Sequence, residues 1–185
     1  MLKKIFLSYF FLNFLIGNSN FKTEIFNKYC IQNIAKQKSI YSIALTKSID
    51  GPINYHFNWT PTSNFLINTK LINNFKNDNK IFFSFNFGLL FKNNIIGMSI
   101  NSLKFDNVFN NVRWNTYFLV NQINIKNWTF NTMLAYHFNE EFSLLSISNY
   151  FEKNIFKYID INFGLNVVKI NDFLINPYFG IKYNL

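Results

Sequence analysis

Five stretches of this chain follow a two-residue apolar–polar period, strict in INYHFNWT at 53–60, IGMSIN at 96–101 and IDINFGLNV at 159–167 and interrupted in FFSFNFGLLF at 82–91 and WTFNTMLAYHF at 128–138. Successive strand side chains point to opposite faces, so this period of two makes each stretch a strand with one apolar and one polar face. In the last stretch Ile159, Ile161, Phe163, Leu165 and Val167 share one face, opposite Asp160, Asn162, Gly164 and Asn166. Helical spacing is not sustained over an ordinary helix length, except in the N-terminal apolar run and over Phe21–Lys38. The chain is therefore all-β.

Composition decides which face is the inside. Apolar residues make up 49% of the 185 residues and aromatics 21%, with 25 phenylalanines, yet mean hydropathy is only +0.02. Charged residues stand at 15%, well below the roughly 25% of a soluble globular protein. The dilution comes from Asn, Ser and Thr. A soluble sandwich turns charged Lys and Glu outward to protect its surface, whereas small uncharged polar groups can pack inside a narrow barrel whose aromatic face meets lipid. Aromatics at the strand ends, Trp59, Phe91, Trp114, Trp128, Phe138 and Tyr183, have the placement of interfacial girdles.

The first 19 residues read as a secretory signal peptide: Lys3 and Lys4, an apolar run from Ile5 to Ile16, and Gly17-Asn18-Ser19 as a small-x-small cleavage site. The run is shorter than the roughly 18 apolar residues a spanning helix needs. Residues 20–38 read as a plug, a short helix or an extra strand, and residues 39–185 as the barrel. Turn signals at DGP 50–52, PTSN 61–64, KNDNK 76–80, KNN 92–94, KFDNVFNN 104–111, KN 126–127, FNEE 138–141, EKN 152–154 and KIND 169–172 divide that region. The expectation is an antiparallel up-and-down transmembrane β-barrel of about 10 strands, within a range of 8 to 12, in the outer membrane of a Gram-negative-type bacterium. The closing segment NPYFGIKYNL alternates to its end, as the terminal strand of an outer-membrane barrel does.

The formal charge of +9 does not point to nucleic acid, because it is scattered lysine with Arg113 as the single arginine. The lone Cys30 excludes an internal disulfide and a cysteine zinc site. No phosphate loop, zinc-type histidine spacing or nucleophile elbow is present, so no catalytic, cofactor-binding or metal-binding residue is assigned. His56 and His137 lie on polar faces, where a lipid-modifying barrel enzyme would be the catalytic alternative. Asn54, His56, Asn58, Arg113, His137, Asp160 and Asn162 are instead expected to form a lumenal polar network. Within it Asp160 should pair with a lysine or with Arg113, since an unpaired buried charge costs several kcal/mol.

The stretch SIYSIALTKSIDGPINYHFNWTP resembles the first hairpin of the PorP/SprF family, outer-membrane proteins of the type IX secretion and gliding machinery. Asp50, Gly51 and Pro52 match the family's turn, and Thr60 and Pro61 its strand end. FSFNFGLLF with NNIIGMSINSL places Gly88, Gly97 and Ser99 in matching positions, and FNTMLAYHFNEEFSLLSISNYF is similar to a later family hairpin. The family's Arg-x-Gln-Trp segment is replaced here by Thr46-Lys47-Ser48-Ile49, its Asn-Pro-Ala by Asn33-Ile34-Ala35, and the chain is shorter than its members. The resemblance implies a non-enzymatic component that supports protein export or anchors periplasmic partners. A small porin-like or structural barrel is the alternative.

Overall fold

A computed structural model describes Ile34 and residues 40–48, 52–74, 80–104, 112–140, 143–169 and 173–185. The expected signal peptide lies outside these residues, as do Asp50, Gly51 and, apart from Ile34, the segment 20–38. Ten strands follow one another: β1 (Tyr41–Ser48), β2 (Ile53–Thr62), β3 (Phe65–Asn74), β4 (Lys80–Phe91), β5 (Asn94–Lys104), β6 (Val112–Ile125), β7 (Trp128–Phe138), β8 (Ser143–Phe156), β9 (Ile159–Lys169) and β10 (Phe173–Asn184). Each pairs antiparallel with the next, and β10 pairs with β1 to close the barrel. Closure leaves no sheet edge for another chain to extend. The up-and-down topology and the ten strands agree with the sequence reading.

The alternation of the sequence becomes an inside and an outside. Ser84, Asn86, Ser99, Asn101, Asn131, His137, Asn162 and Asn166 are buried in the interior, while Phe83, Phe85, Met98, Ile100, Tyr117, Phe163 and Leu165 are exposed outside. All ten strands contribute large apolar side chains to the outer face. The charged groups of that face lie toward strand ends among the described residues: Lys47, Lys104, Arg113 and Lys153.

The two ends of the barrel differ. Two-residue turns join β2 to β3, β4 to β5, β6 to β7 and β8 to β9, all at the end where β1 begins and β10 finishes. The connections at the opposite end are all longer. Proline sits where no ladder hydrogen bond is lost. Pro61 lies in the register shift between Trp59 and Thr62, Pro52 precedes β2, and Pro177 pairs with β9 just before the β1 pairing begins at Tyr178.

Lys92 and Lys126 open their turns with φ of 52° and 53°, a left-handed conformation that costs a residue with a Cβ roughly 1–2 kcal/mol. Glycine would relieve that cost but loses more chain entropy on folding. Lys92→Gly and Lys126→Gly are each expected to stabilise the barrel by about 0.5–1 kcal/mol, read as a shift of the urea midpoint in detergent. A loss of stability at both sites would count against the assigned turn geometry.

Three sequence expectations need correction. The EKN segment at 152–154 is no turn: β8 continues to Phe156 and turns at 157–158. Arg113 faces outward and is exposed, so it does not belong to the interior network. Its neighbours explain why: Trp114, Thr116 and Phe118 hold the inward positions of β6, which leaves the odd-numbered residues outside. Trp114 itself is not a girdle residue. It is 2% exposed and packs inside against Phe82, with ring centroids 5.5 Å apart.

Candidate functional site

The interior is built from rows of directly opposed residues. One row crosses seven strands through Ser42, Asn58, Asn68, Asn86, Ser99, Thr116 and His137. It starts beside the short-turn end on β1 and finishes near the opposite end on β7, because strands in a closed barrel are tilted and staggered. Asn58 Nδ2 donates to Ser42 Oγ (3.1 Å), Asn68 Nδ2 to Asn58 Oδ1 (2.5 Å), and Asn86 Nδ2 to Asn68 Oδ1 (2.6 Å). Farther along, Asn101 Nδ2 donates to Thr116 Oγ1 (3.0 Å). Asparagine suits this ladder because its amide donates on one side and accepts on the other.

The two histidines are separate members of this packing. His56 Nε2 shares a 2.9 Å hydrogen bond with Thr46 Oγ1. His137 bridges Thr116 Oγ1 through Nδ1 (2.8 Å) and Ser146 Oγ through Nε2 (2.8 Å). A serine beside a histidine resembles a nucleophile and its base. Here the pair is buried in the lumen, and the third partner is a hydroxyl rather than a carboxylate. Asn54 Nδ2 donates to the Thr46 carbonyl (3.2 Å), while neither amide atom of Asn162 has a hydrogen-bond partner.

The charged part of the interior lies near the short-turn end. Lys182 on β10 is directly opposite Asp160 on β9, with Nζ 3.2 Å from Oδ2, and Lys182 Nζ also donates to Glu152 Oε1 on β8. Asn184 Nδ2 (2.8 Å) and Asn154 Nδ2 (2.7 Å) donate to the two Asp160 oxygens. Asp160 therefore pairs with a lysine, as one of the two sequence alternatives held. Lys70 is the other buried cation, opposite both His56 and Ser84, with Nζ 5.0 Å from the centre of the Phe82 ring. Among the described residues, the buried charges are two lysines and two carboxylates.

Sequence reading missed Glu152, Lys182 and Lys70. The clue for Glu152 was that Phe151 and Ile155 keep one parity across EKN, which puts Glu152 on the inward side. Lys182 had the same kind of clue in Phe179, Ile181 and Tyr183. Lys70 had none, because apolar residues occupy both faces of FLINTKLINN.

Another part of the lumen is apolar. Leu66, Leu90, Ile95, Phe118, Val120, Met133 and Ala135 form one buried cluster, and Ile34 packs into it from outside the barrel strands with 0% exposure. Tyr150 Oη donates to the Ile34 carbonyl oxygen at 2.5 Å. Ile34 is thus held among inward-facing side chains of the strands by packing and by this hydrogen bond. Of the family-like turn, Pro52 lies just before β2, and Thr60 and Pro61 are in β2, where the Thr60 amide donates to the Ile40 carbonyl (2.8 Å). Among the described residues, no group of three or more His, Cys, Asp or Glu side chains is placed to hold a metal ion.

No family model, curated protein or solved structure matches this chain. Fold and interior geometry therefore carry the functional reading.

Proposed function

We propose that this chain is an integral β-barrel of a bacterial outer membrane, with a lumen filled by its own side chains, and that it serves as a non-conducting scaffold for envelope machinery. One observation carries the reading: an interior rich in buried polar and charged side chains is wrapped by an apolar outer face spanning all ten strands. A soluble monomer rarely exposes apolar patches beyond a few hundred Å², while a barrel in lipid requires this inversion. The short turns gathered at one end support the placement, since outer-membrane barrels keep short turns on the periplasmic side. So does Lys153, whose Nζ lies 4.9 Å from the Trp128 ring centre near that end, a pairing suited to the headgroup layer.

The many buried side chains of the lumen favour a scaffold over a porin. Small barrels are filled by side chains, and open channels need wider ones. Likeness of the first hairpin to PorP/SprF proteins supports secretion or gliding machinery as the assembly served, with periplasmic proteins as partners. The chain should fractionate with outer membranes and migrate differently on gels with and without boiling. In planar bilayers it should give no stable channels. Identical migration would sink the membrane barrel, while reproducible conductance would sink the closed scaffold in favour of the porin.

A further inference from the structure

The outer face carries its own polar row, and the membrane barrel as read above does not use it. Asn94 on β5 is directly opposite Asn121 on β6, Asn121 opposite Thr132 on β7, and Thr132 opposite Asn149 on β8. All four point outward. Asn121 Nδ2 donates to Asn94 Oδ1 (2.9 Å), and Thr132 Oγ1 to Asn149 Oδ1 (2.9 Å). These bonds leave Asn149 Nδ2 and Asn121 Oδ1 facing outward without a partner among the described residues.

The row rises from the short-turn end, where Asn94 begins β5, to Asn149 midway along β8 (Ser143–Phe156). Elsewhere the mid-strand outer face of the described residues is apolar apart from the hydroxyls of Tyr55, Thr69 and Tyr117, and Ser102 and Asn115 lie nearer the opposite end. Uncompensated amide groups at membrane depth are costly. Headgroups cannot satisfy Asn149 at the middle of a strand. Leu119, Ile123, Ile147 and Phe151 flank the row and supply apolar contact area around it.

Resting on the outer-membrane reading, we infer that the outward row Asn94–Asn121–Thr132–Asn149 on β5–β8 is a membrane-embedded interface with a second copy of this chain. The chemistry is self-complementary. Each asparagine both donates and accepts, and the row carries no charge, so the same patch satisfies itself about a twofold axis parallel to the barrel axis. Two tilted rows facing each other meet only where they cross, and a crossing at Asn149 sets its unused Nδ2 against Asn149 Oδ1 of the second copy.

The test is oxidative cross-linking of the full chain in native outer membranes, in a Cys30→Ser background. Asn149→Cys should give a covalent dimer, and Leu71→Cys should not. Leu71 is an exposed residue of β3, five strands from β8 in either direction around the ring. Sedimentation in detergent should find the Asn121→Leu/Asn149→Leu variant dimerising about tenfold more weakly than the parent, as expected for the loss of a few membrane hydrogen bonds. A heat-modifiable, membrane-inserted chain that stays monomeric overturns the interface and leaves the membrane reading standing. A cross-link to a protein of different mass, or equal dimer from both cysteines, also overturns it. Recovery in the soluble periplasm overturns the membrane reading and the interface together.

Discussion

Lys182→Met is expected to destabilise the barrel by about 3–5 kcal/mol, the usual cost of removing one partner from a buried ion pair. The side chain of Lys182 is 2% exposed, and it stands between carboxylates that are 5% exposed on Glu152 and 0% on Asp160. The two acids would not suffer equally. Asp160 keeps the amide donors Asn154 and Asn184, whereas Glu152 loses its Oε1 donor, and its Oε2 has no partner to begin with. Adding Glu152→Gln to Lys182→Met should therefore recover more stability than adding Asp160→Asn. Urea unfolding in detergent, followed by heat-modifiable migration, measures all four proteins. A Lys182→Met loss below about 1 kcal/mol would mean that water reaches this cluster and screens it.

Gly97→Ala should cost about 1–3 kcal/mol through overpacking. A Cβ built at Gly97 lies 2.2 Å from the Phe87 carbonyl oxygen and 2.4 Å from Cζ of Phe118. Gly97 lies between Gly88 on β4 and Phe118 on β6, and the missing side chain lets the phenylalanine ring lie against the sheet. The ring could shift. The carbonyl is held by the β4–β5 ladder, so Phe118→Leu should rescue Gly97→Ala only in part. Gly88→Ala is the internal control: its Cβ meets the Cγ2 methyl of Ile95 at 2.7 Å and no backbone atom closely, so a smaller loss is expected. Equal losses at Gly88 and Gly97 in the same urea experiment would refute this packing account.

These two sites show where the sequence was informative and where it stopped. Gly97 and Asp160 stood out as sequence, one as a glycine in a strand and the other as a charge in a strand. Their partners did not, because Phe87, Phe118 and Lys182 come from other strands and are selected by register. Glu152 was read as a turn because Glu-Lys-Asn is ordinary turn chemistry. Only a cation two strands away, Lys182 on β10, makes a carboxylate tolerable at that position. Arg113 was placed inside on the strength of its charge, although Trp114 and Phe118 hold the inward parity of β6. In this barrel, parity outranks polarity: one strand cannot turn a single residue against its neighbours without a bulge.

By itself, then, the sequence determined the class of structure. A period of two repeated along the chain, with one face aromatic and the other made of small uncharged polar groups, requires strands that hide amides and show rings, because each side chain's direction follows from its place in the strand. The tertiary structure decided what those amides do. Closure of β10 on β1 and the stagger of the strands line up Ser42, Asn58, Asn68 and Asn86 as a ladder, set Lys182 between two acids, and bring Ile34 against Phe118. They also align four outward polar residues into one row. Such contacts join residues far apart in sequence, and their geometry comes from register and barrel tilt, quantities that no local pattern encodes.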